Sequence, residues 1–225
     1  MLIGLNQLFL RISGKNVLID TGLGDKFDFT ERGLLDYQHP RRLFTELAEL
    51  NIDPDDIDIV VLTHLHFDHS GGGTRLEDGL KLAPSFTNAL YYIQRREVDF
   101  ARSSDPSVKN DYNPDDFEPL FESGQIVMID GDAQVVPGLS LSLCPGHSPG
   151  HQVVIAEGKL ATIFFPGDLC SVREHANLQL TTSYDLDVLT LLKERKKWLS
   201  RASAGKWQTV FSHAIRNPVG IISFN

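Results

Sequence analysis

Three histidines and one aspartate fall within six residues directly after a mostly apolar run, and this segment constrains the fold more than any other. The apolar run covers 57–62, and the polar residues after it are His64, His66, Asp68 and His69. A strand that ends in a tight loop can point all four side chains to one place. Imidazole nitrogens and carboxylate oxygens are donors that zinc, iron and manganese accept. The whole chain has only eight histidines, so the segment indicates a metal site at a strand end rather than a chance polar loop.

The composition is that of an ordinary globular chain and disfavours some partners. Residues 1–225, of which 41% are hydrophobic, suit one domain of packed layers, although two small domains also fit this length. The net charge of −9 argues against a nucleic-acid partner, because phosphate binding needs a basic surface. Two cysteines, Cys144 and Cys170, are too few for a disulfide framework. We therefore expect a reduced, cytoplasmic protein with a small-molecule substrate, as a monomer or a homodimer.

Neither a membrane span nor a signal peptide is expected. No apolar run approaches the roughly 20 residues that a membrane-spanning helix needs. The first six residues lack the basic flank and the long apolar core of a secretory signal.

Short strands and amphipathic helices alternate in two β-rich halves. Apolar runs bounded by turn residues predict the strands, and apolar residues at helical spacing predict the helices. The least regular part is 84–124. Two β-rich halves, each with helices on its outer face, predict an αββα sandwich. The predicted strands cover 8–12, 16–20, 57–62, 89–93, 126–129, 139–143, 152–156, 160–165 and 209–211, and the predicted helices cover 40–50, 95–102 and 185–202.

Three further candidate ligands follow other predicted strands. His147 lies in the loop 145–151, whose Pro and Gly residues enforce a rigid path. Asp168 comes just past the strand that ends at Phe165, and His213 comes at the end of a third strand. Ligands delivered from several strand ends to one edge of a sheet would give a rigid site.

The order of these residues resembles the pattern of the metallo-β-lactamase superfamily. The HxHxDH motif at 64–69 is followed by His147, Asp168 and His213, and the loop Asp20-Thr21-Gly22 that this superfamily typically carries precedes it. Taken singly, a loop His or Asp is more often a cap or a surface group, and only the joint pattern makes these residues candidates.

That resemblance implies a four-layer αββα sandwich of the α/β (α+β) class that binds two divalent ions. Zinc is the ion expected first, with manganese or iron as alternatives. The implied ligands are His64, His66 and His147 for the first ion, Asp68, His69 and His213 for the second, and Asp168 as the bridge.

The resemblance also implies hydrolysis of an ester-type bond. A water shared between two dications loses its proton readily, which gives a hydroxide nucleophile near neutral pH. Asp68 would be a ligand with a free oxygen, so it is the candidate that accepts the water proton and returns it to the leaving group.

Five other residues are weaker candidates for supporting the metal ligands or lining the pocket. We expect Asp20 to hold the active-site loop, and His151 to fix its own loop by hydrogen bonds rather than to bind metal. His175 is as consistent with a surface histidine as with a pocket residue. Well-known homoserine-lactone lactonases carry a catalytic tyrosine three residues after the bridging aspartate, where this chain has Ser171. The nearest downstream tyrosine is Tyr184.

Within the superfamily, the chain resembles the lactonase and organophosphate-hydrolase branch. The stretches 84–89, 166–169 and 184–187 carry this likeness, and only 12 residues follow His213, so we expect no helical C-terminal domain of the glyoxalase II type. The expected substrate is a lactone such as an acyl-homoserine lactone, or a related ester. The alternatives are a phosphotriester or thioester hydrolase of the same fold, a mononuclear-iron persulfide dioxygenase, and a catalytically weak metal-binding protein.

Aromatic residues of the irregular middle segment have two interpretations. Phe100, Tyr112 and Phe117 either contact an acyl chain or pack beneath a long loop, and packing is the more common role.

Overall fold

The computed structural model describes residues 2–26, 37, 42–78, 81–103, 105 and 111–224, and the structural statements below concern these residues. The first half contains strands β1 Leu8–Ile12, β2 Lys15–Ile19, β3 Ile59–Val61, β4 Thr74–Glu77, β5 Lys81–Pro84, β6 Leu90–Gln94 and β7 Ile126–Ile129. The second half contains β8 Ala133–Val136, β9 Leu139–Leu143, β10 Gln152–Glu157, β11 Thr162–Phe165, β12 Gln208–Val210 and β13 Val219–Ile221. The α-helices are α1 Arg42–Glu49, α2 Phe67–Ser70, α3 Arg95–Ala101, α4 Glu118–Glu122 and α5 Val188–Gly205.

Two large sheets form the middle of the molecule. The first has the order β1-β2-β3-β6-β7 and is parallel except for the β1-β2 hairpin. The second has the order β13-β12-β11-β10-β9-β8 and is antiparallel except for the parallel pair β11-β12. Strands β4 and β5 pair separately.

Alternating side chains of each sheet supply two different cores. Val17 and Ile19 of β2 pack with Leu141 of β9 and Val154 of β10, so the two sheets meet face to face. Leu18, between them in sequence, points the other way and packs in the cluster that contains residues of α1, α3 and α4. This period of two is what a strand with both faces covered requires.

The outer face of the second sheet is covered by the long helix α5. Leu191, Trp198 and Leu199 of the helix share a cluster with Val153 of β10 and Phe164 of β11. Helices therefore cover both sheets on their outer faces, and the four-layer αββα sandwich expected from the sequence is confirmed.

Several element boundaries differ from the sequence prediction. The last helix begins at Val188 rather than residue 185, because the Asp187 side chain accepts a hydrogen bond from the Thr190 backbone N–H and caps the helix there. Strands β4, β5, β8 and β13 and the short helices α2 and α4 were not expected. Residues 40 and 41 of the predicted helix 40–50 lie outside the described residues.

The loops that carry the candidate ligands follow strands of both sheets. The HxHxDH segment follows β3, the His147 loop follows β9, and the loops of Asp168 and His213 follow β11 and β12. The backbone N–H of Gln152 donates to the carbonyl of Thr63 at 2.9 Å, which joins the edges of the two sheets at this point. In the part of the chain that the structure describes, no helix has the length and apolarity to cross a membrane.

Candidate metal centre

The HxHxDH segment leaves β3 in an extended loop and then turns into the short helix α2. The loop is pressed against the loop that begins at Asp20: the backbone N–H of Gly72 donates to the carbonyl of Gly22, and a Cβ at Gly72 would lie 2.2 Å from the carbonyl oxygen of Thr21. Only a residue without a side chain fits such a backbone contact. The Gly residues after the motif thus allow it to lie directly on the Asp20 loop.

The structure brings all seven predicted metal ligands together. Within each of three overlapping groups, the donor atoms lie within 4.8 Å of one another. The groups are His64, His66 and His147; His64, His69 and Asp168; and Asp68, His69 and His213. The first and third groups contain the residues predicted for the two separate ions.

Asp168 lies between the first group and the third. Its Oδ1 is 3.3 Å from Nε2 of both His69 and His213, and its Oδ2 is 3.6 Å from Nε2 of His147. Within the groups, Nδ1 of His66 is 3.1 Å from Nε2 of His147, and the Nε2 atoms of His69 and His213 are 3.2 Å apart. One carboxylate thus faces donors of both groups, as a bridging ligand would.

Acceptors on the far side of three rings orient the imidazoles. Nδ1 of His69 lies 2.8 Å from the Asp20 carboxylate, Nδ1 of His147 lies 2.9 Å from the Asp185 carboxylate, and Nδ1 of His213 lies 2.9 Å from a backbone carbonyl near the N-terminus. Because these acceptors need a proton on Nδ1, they leave the Nε2 lone pair directed into the cluster.

His64 presents a donor atom that has no partner among the described residues. Its Nδ1 is 3.0 Å from the Thr63 hydroxyl, which in turn donates to the Asp20 carboxylate at 2.9 Å. Its Nε2 is buried and makes no hydrogen bond with the residues that the structure describes. A buried, unpartnered nitrogen is costly unless something binds it, so this atom marks the centre of the cluster as a place for a cation.

The two halves of the cluster differ in electrostatics. Burial lowers the pKa of His64 and of His66 well below the usual value, and the neighbouring imidazoles add to this effect. Burial also opposes protonation of His69, but the charges of Asp168, Asp68 and Asp20 together exceed it and raise that pKa well above the usual value. His64 and His66 of the first group are therefore neutral nitrogen donors, whereas His69 of the third group lies among carboxylates.

The two carboxylates of the cluster have different surroundings. Burial acts to raise the pKa of Asp168, but His213 and His69 outweigh it and hold that pKa well below its usual range. The Asp68 side chain is 19% exposed, and its Oδ2 lies 3.5 Å from Nε2 of His213. The Asp168 side chain is 14% exposed. A shallow cleft bordered by Asn6 and Gln7 includes Asp68 among its lining residues, so Asp68 lies on the open side of the centre.

His151 uses both ring nitrogens outside the cluster. Its Nε2 accepts a hydrogen bond from the backbone N–H of Asp168 at 3.0 Å, and its Nδ1 donates to the carbonyl of Cys144 at 3.1 Å. Burial lowers the pKa of His151 to about 3, so the ring is neutral. These contacts tie the His147 loop to the Asp168 loop.

The remaining sequence candidates lie at different distances from the cluster. The backbone carbonyl of Ser171 accepts from the N–H of His213 at 2.8 Å, and its hydroxyl is 3.5 Å from Nδ1 of the buried His175. Tyr184 is 57% exposed, and no described hydrogen bond or ring contact joins it to the donors. Its neighbour Asp185 is the residue that reaches His147.

Sequence reasoning did not predict three groups that contact the ligand residues or their loops. They are Asp185, the carbonyl of Gly4, and Glu97, whose carboxylate contacts the ligand loops from helix α3. The stretch 184–187 pointed to Asp185 only as part of a family likeness. Of the aromatic residues, Phe117 and Tyr112 are buried in the core cluster, and the Tyr112 ring stands edge-on to His66 with centroids 4.8 Å apart.

The fold and the donor cluster together define a metal-binding αββα protein, and comparison with known proteins identifies its family. A family model described as the metallo-beta-lactamase superfamily matches residues 4–206. The chain belongs to this superfamily.

Individual relatives support the same grouping. The N-acyl homoserine lactonase of Bacillus cereus is 34% identical over 116 residues, which are 52% of this chain and 39% of that protein. This chain thus matches well under half the length of that curated relative.

Solved structures share the fold over almost the whole chain. A probable metal-dependent hydrolase from Staphylococcus aureus has a TM-score of 0.90 at 23% identity, covering 98% of this chain and 78% of that chain. A dizinc quorum-quenching lactonase, in complex with a product, has a TM-score of 0.78 at 22% identity, covering 99% and 76%.

Proposed function

We propose that this protein is a metal-dependent hydrolase that opens a lactone, such as an acyl-homoserine lactone, or cleaves a related ester. The observation that carries the proposal is the cluster of donors around Asp168, in which the buried Nε2 of His64 has no hydrogen-bond partner among the described residues. Nitrogen and carboxylate donors in this number fit two divalent ions, with zinc expected first and manganese or iron as alternatives. The lactonase relatives support the ester-type substrate.

The residues that would hold the ions fall into two sets that meet at one carboxylate. A pair of divalent ions supplies Lewis-acid polarisation of a carbonyl and lowers the pKa of water. The first set would be His64, His66 and His147, the second would be Asp68, His69 and His213, and Asp168 would serve both.

The protein's own part in the reaction is to orient donors and to move a proton. Asp20 and Asp185 hold the rings of His69 and His147, so that Nε2 rather than Nδ1 faces the substrate side. Burial of these rings keeps bulk water away from the reacting atoms, which strengthens every charge interaction there. Asp68 Oδ2 lies at the open side, and we assign it the transfer of a proton from water to the leaving alkoxide.

The site takes residues from strands of both sheets, so we infer that residues 1–225 act as one domain. Neither half of the sandwich alone would hold the donors of the first set, because His64 and His66 follow β3 of the first sheet and His147 follows β9 of the second.

A hydrolysis screen tests the proposal. The zinc- or manganese-loaded full chain is offered an acyl-homoserine lactone, an aryl ester and an aryl phosphotriester, and we expect turnover with the lactone fastest. In the same assay His66→Ala should lower kcat/KM by about 100-fold or more, since even the loss of a group behind a ligand costs 10–100-fold. No turnover of any substrate, or unchanged hydrolysis by His66→Ala, would refute the proposal. Faster hydrolysis of the phosphotriester than of the lactone would favour a phosphotriester hydrolase. One bound iron without any hydrolysis would favour oxygenase chemistry.

A further inference from the structure

We propose that Glu97 is a positioning residue that holds the two loops of the first donor set at the separation a bound ion requires. Glu97 lies on α3, outside the donor cluster, and its side chain is completely buried. The inference rests on the proposed metal centre and assigns a role to a residue that binds neither metal nor substrate.

The Glu97 carboxylate accepts four hydrogen bonds, three from the ligand loops and one from Tyr112. Oε1 accepts from the backbone N–H of Leu65 at 3.1 Å and from the Tyr112 hydroxyl at 3.0 Å. Oε2 accepts from the Ser148 hydroxyl at 2.6 Å and from the backbone N–H of Gly150 at 3.0 Å. Leu65 stands between His64 and His66 in the sequence, and Ser148 directly follows His147. One carboxylate therefore bridges the loops that supply all three nitrogens of the first set.

The contact suits a carboxyl group and not an amide. An ionised carboxylate offers four acceptor positions, and here four donors fill them. The two hydroxyl donors can rotate and accept instead, but the N–H groups of Leu65 and Gly150 cannot. Burial raises the pKa of Glu97, and the hydrogen bonds from Ser148, Leu65, Tyr112 and Gly150 oppose that rise.

The helix and the His147 loop are in backbone contact beside this carboxylate. A Cβ at Gly150 would lie 2.1 Å from the backbone nitrogen of Glu97. The loop cannot move toward the helix, and the hydrogen bonds prevent it from moving away. Tyr112 adds a restraint on the other loop, because its hydroxyl is held by Glu97 while its ring stands against His66.

The donors of the second set depend on other supports. The described partners behind their rings are Asp20 for His69 and the Gly4 carbonyl for His213. A change at Glu97 should therefore act on one ion and spare the other.

The substitution Glu97→Gln tests this selectivity. The amide has nearly the same shape, but its NH2 group must face the backbone N–H of either Leu65 or Gly150. Competition between the full chain and a chromophoric chelator for Zn2+ measures the affinity of each site. We expect the affinity for one of the two ions to fall by about 10–100-fold and the affinity for the other to stay within a factor of about 3 of the wild-type value. Asp99→Asn, an exposed carboxylate on the same helix, should leave both affinities unchanged.

Combining Glu97→Gln with His66→Ala identifies which of the two ions Glu97 affects. His66→Ala should leave the ion of the second set as the remaining tight one, and adding Glu97→Gln should not change its affinity, because the two substitutions act on one unit. If Glu97→Gln does not fold, Tyr112→Phe and Ser148→Ala should each weaken the same ion by a smaller factor; unchanged affinities in both would overturn the role.

The outcomes separate this inference from the proposed function. Two ions in the wild type and two equally tight ions in Glu97→Gln would overturn the role of Glu97 alone. Equal weakening of both ions would show a general structural role and would also overturn it. No ion bound by the wild type would overturn the metal centre, and this inference with it.

Discussion

At the scale of the residue, the direction of each imidazole in the centre depends on the group behind it. Asp20 and Asp185 perform the same task in different donor sets. The Asp20 carboxylate contacts Nδ1 of His69 and also receives both the N–H and the hydroxyl of Thr63. The Asp185 carboxylate contacts Nδ1 of His147 and receives the N–H of Thr182.

The substitutions Asp20→Asn and Asp185→Asn form a matched pair. Each replaces one carboxylate oxygen with an amide nitrogen that cannot accept, so either the imidazole N–H or the backbone N–H of Thr63 or Thr182 loses its acceptor. We expect Asp185→Asn to weaken binding of the first ion by about 10–100-fold. Asp20→Asn should weaken binding of the second ion by a similar factor and binding of the first by less, because Asp20 reaches His64 only through the Thr63 hydroxyl. Zn2+ titrations of the two variants, with His66→Ala as the reference for loss of the first ion, give the assignment. Loss of the same ion in both variants would contradict the division of the donors.

Sequence reasoning reached the donors more readily than their supports, for a physical reason. His64, His66, Asp68 and His69 form a short motif, so their joint role is visible in the chain itself. The supports are single residues whose function arises only when distant segments meet. Glu97 looks like an ordinary helix residue until α3 is placed beside the loops after β3 and β9. The Gly4 carbonyl carries no side-chain signal at all.

At the scale of the element, the Asp20 loop and the HxHxDH segment are held together by direct backbone packing. Gly72→Ala would place a Cβ 2.2 Å from the carbonyl oxygen of Thr21. We expect it to lower the free energy of unfolding by about 1–3 kcal/mol, the usual cost of overpacking, and to weaken the second ion because Asp20 moves.

The next residue supplies the control for that substitution. A Cβ at Gly73 would make only an ordinary contact, 3.5 Å from the Tyr91 ring, so Gly73→Ala should change the unfolding free energy by no more than about 0.5 kcal/mol. Urea denaturation of both variants measures the difference. Equal destabilisation by the two changes would mean that the close approach at Gly72 is not what matters.

Element types were more predictable than element ends. The apolar runs of β3 and β10 are buried on both faces, and strands buried in this way appear in the sequence as continuous apolar runs. Strands β4 and β13 were missed because each has exposed positions and only three or four residues. The sequence prediction started α5 at residue 185, which is too early. The Asp185 side chain bonds to His147, and the helix begins only at Val188.

At the scale of the whole molecule, the buried histidines couple folding to pH. His151 has a pKa of about 3 in the folded chain against about 6.5 when unfolded. Between these values only the unfolded chain binds the proton, so stability is complete above about pH 6.5 and is lost as the pH falls toward 3. The loss is about 1.4 kcal/mol per pH unit, or about 2 kcal/mol at pH 5.

The variant His151→Gln measures this contribution. Glutamine can donate to one carbonyl and accept from one N–H, but it does not titrate. In the metal-free chain, the free energy of unfolding of this variant should fall less steeply between pH 6.5 and pH 5 than that of the wild type. The slopes should differ by about 1.4 kcal/mol per pH unit, which corresponds to one proton. A slope identical to that of the wild type would show that His151 is not the neutral buried group inferred here.

Donors that follow strands of both sheets should hold two ions in one centre. Elemental analysis of the purified full chain, after dialysis against metal-free buffer, tests it most directly. We expect two divalent ions per chain in the wild type, and one in His66→Ala. A single ion in the wild type that persists in His66→Ala, or no retained ion at all, would contradict it.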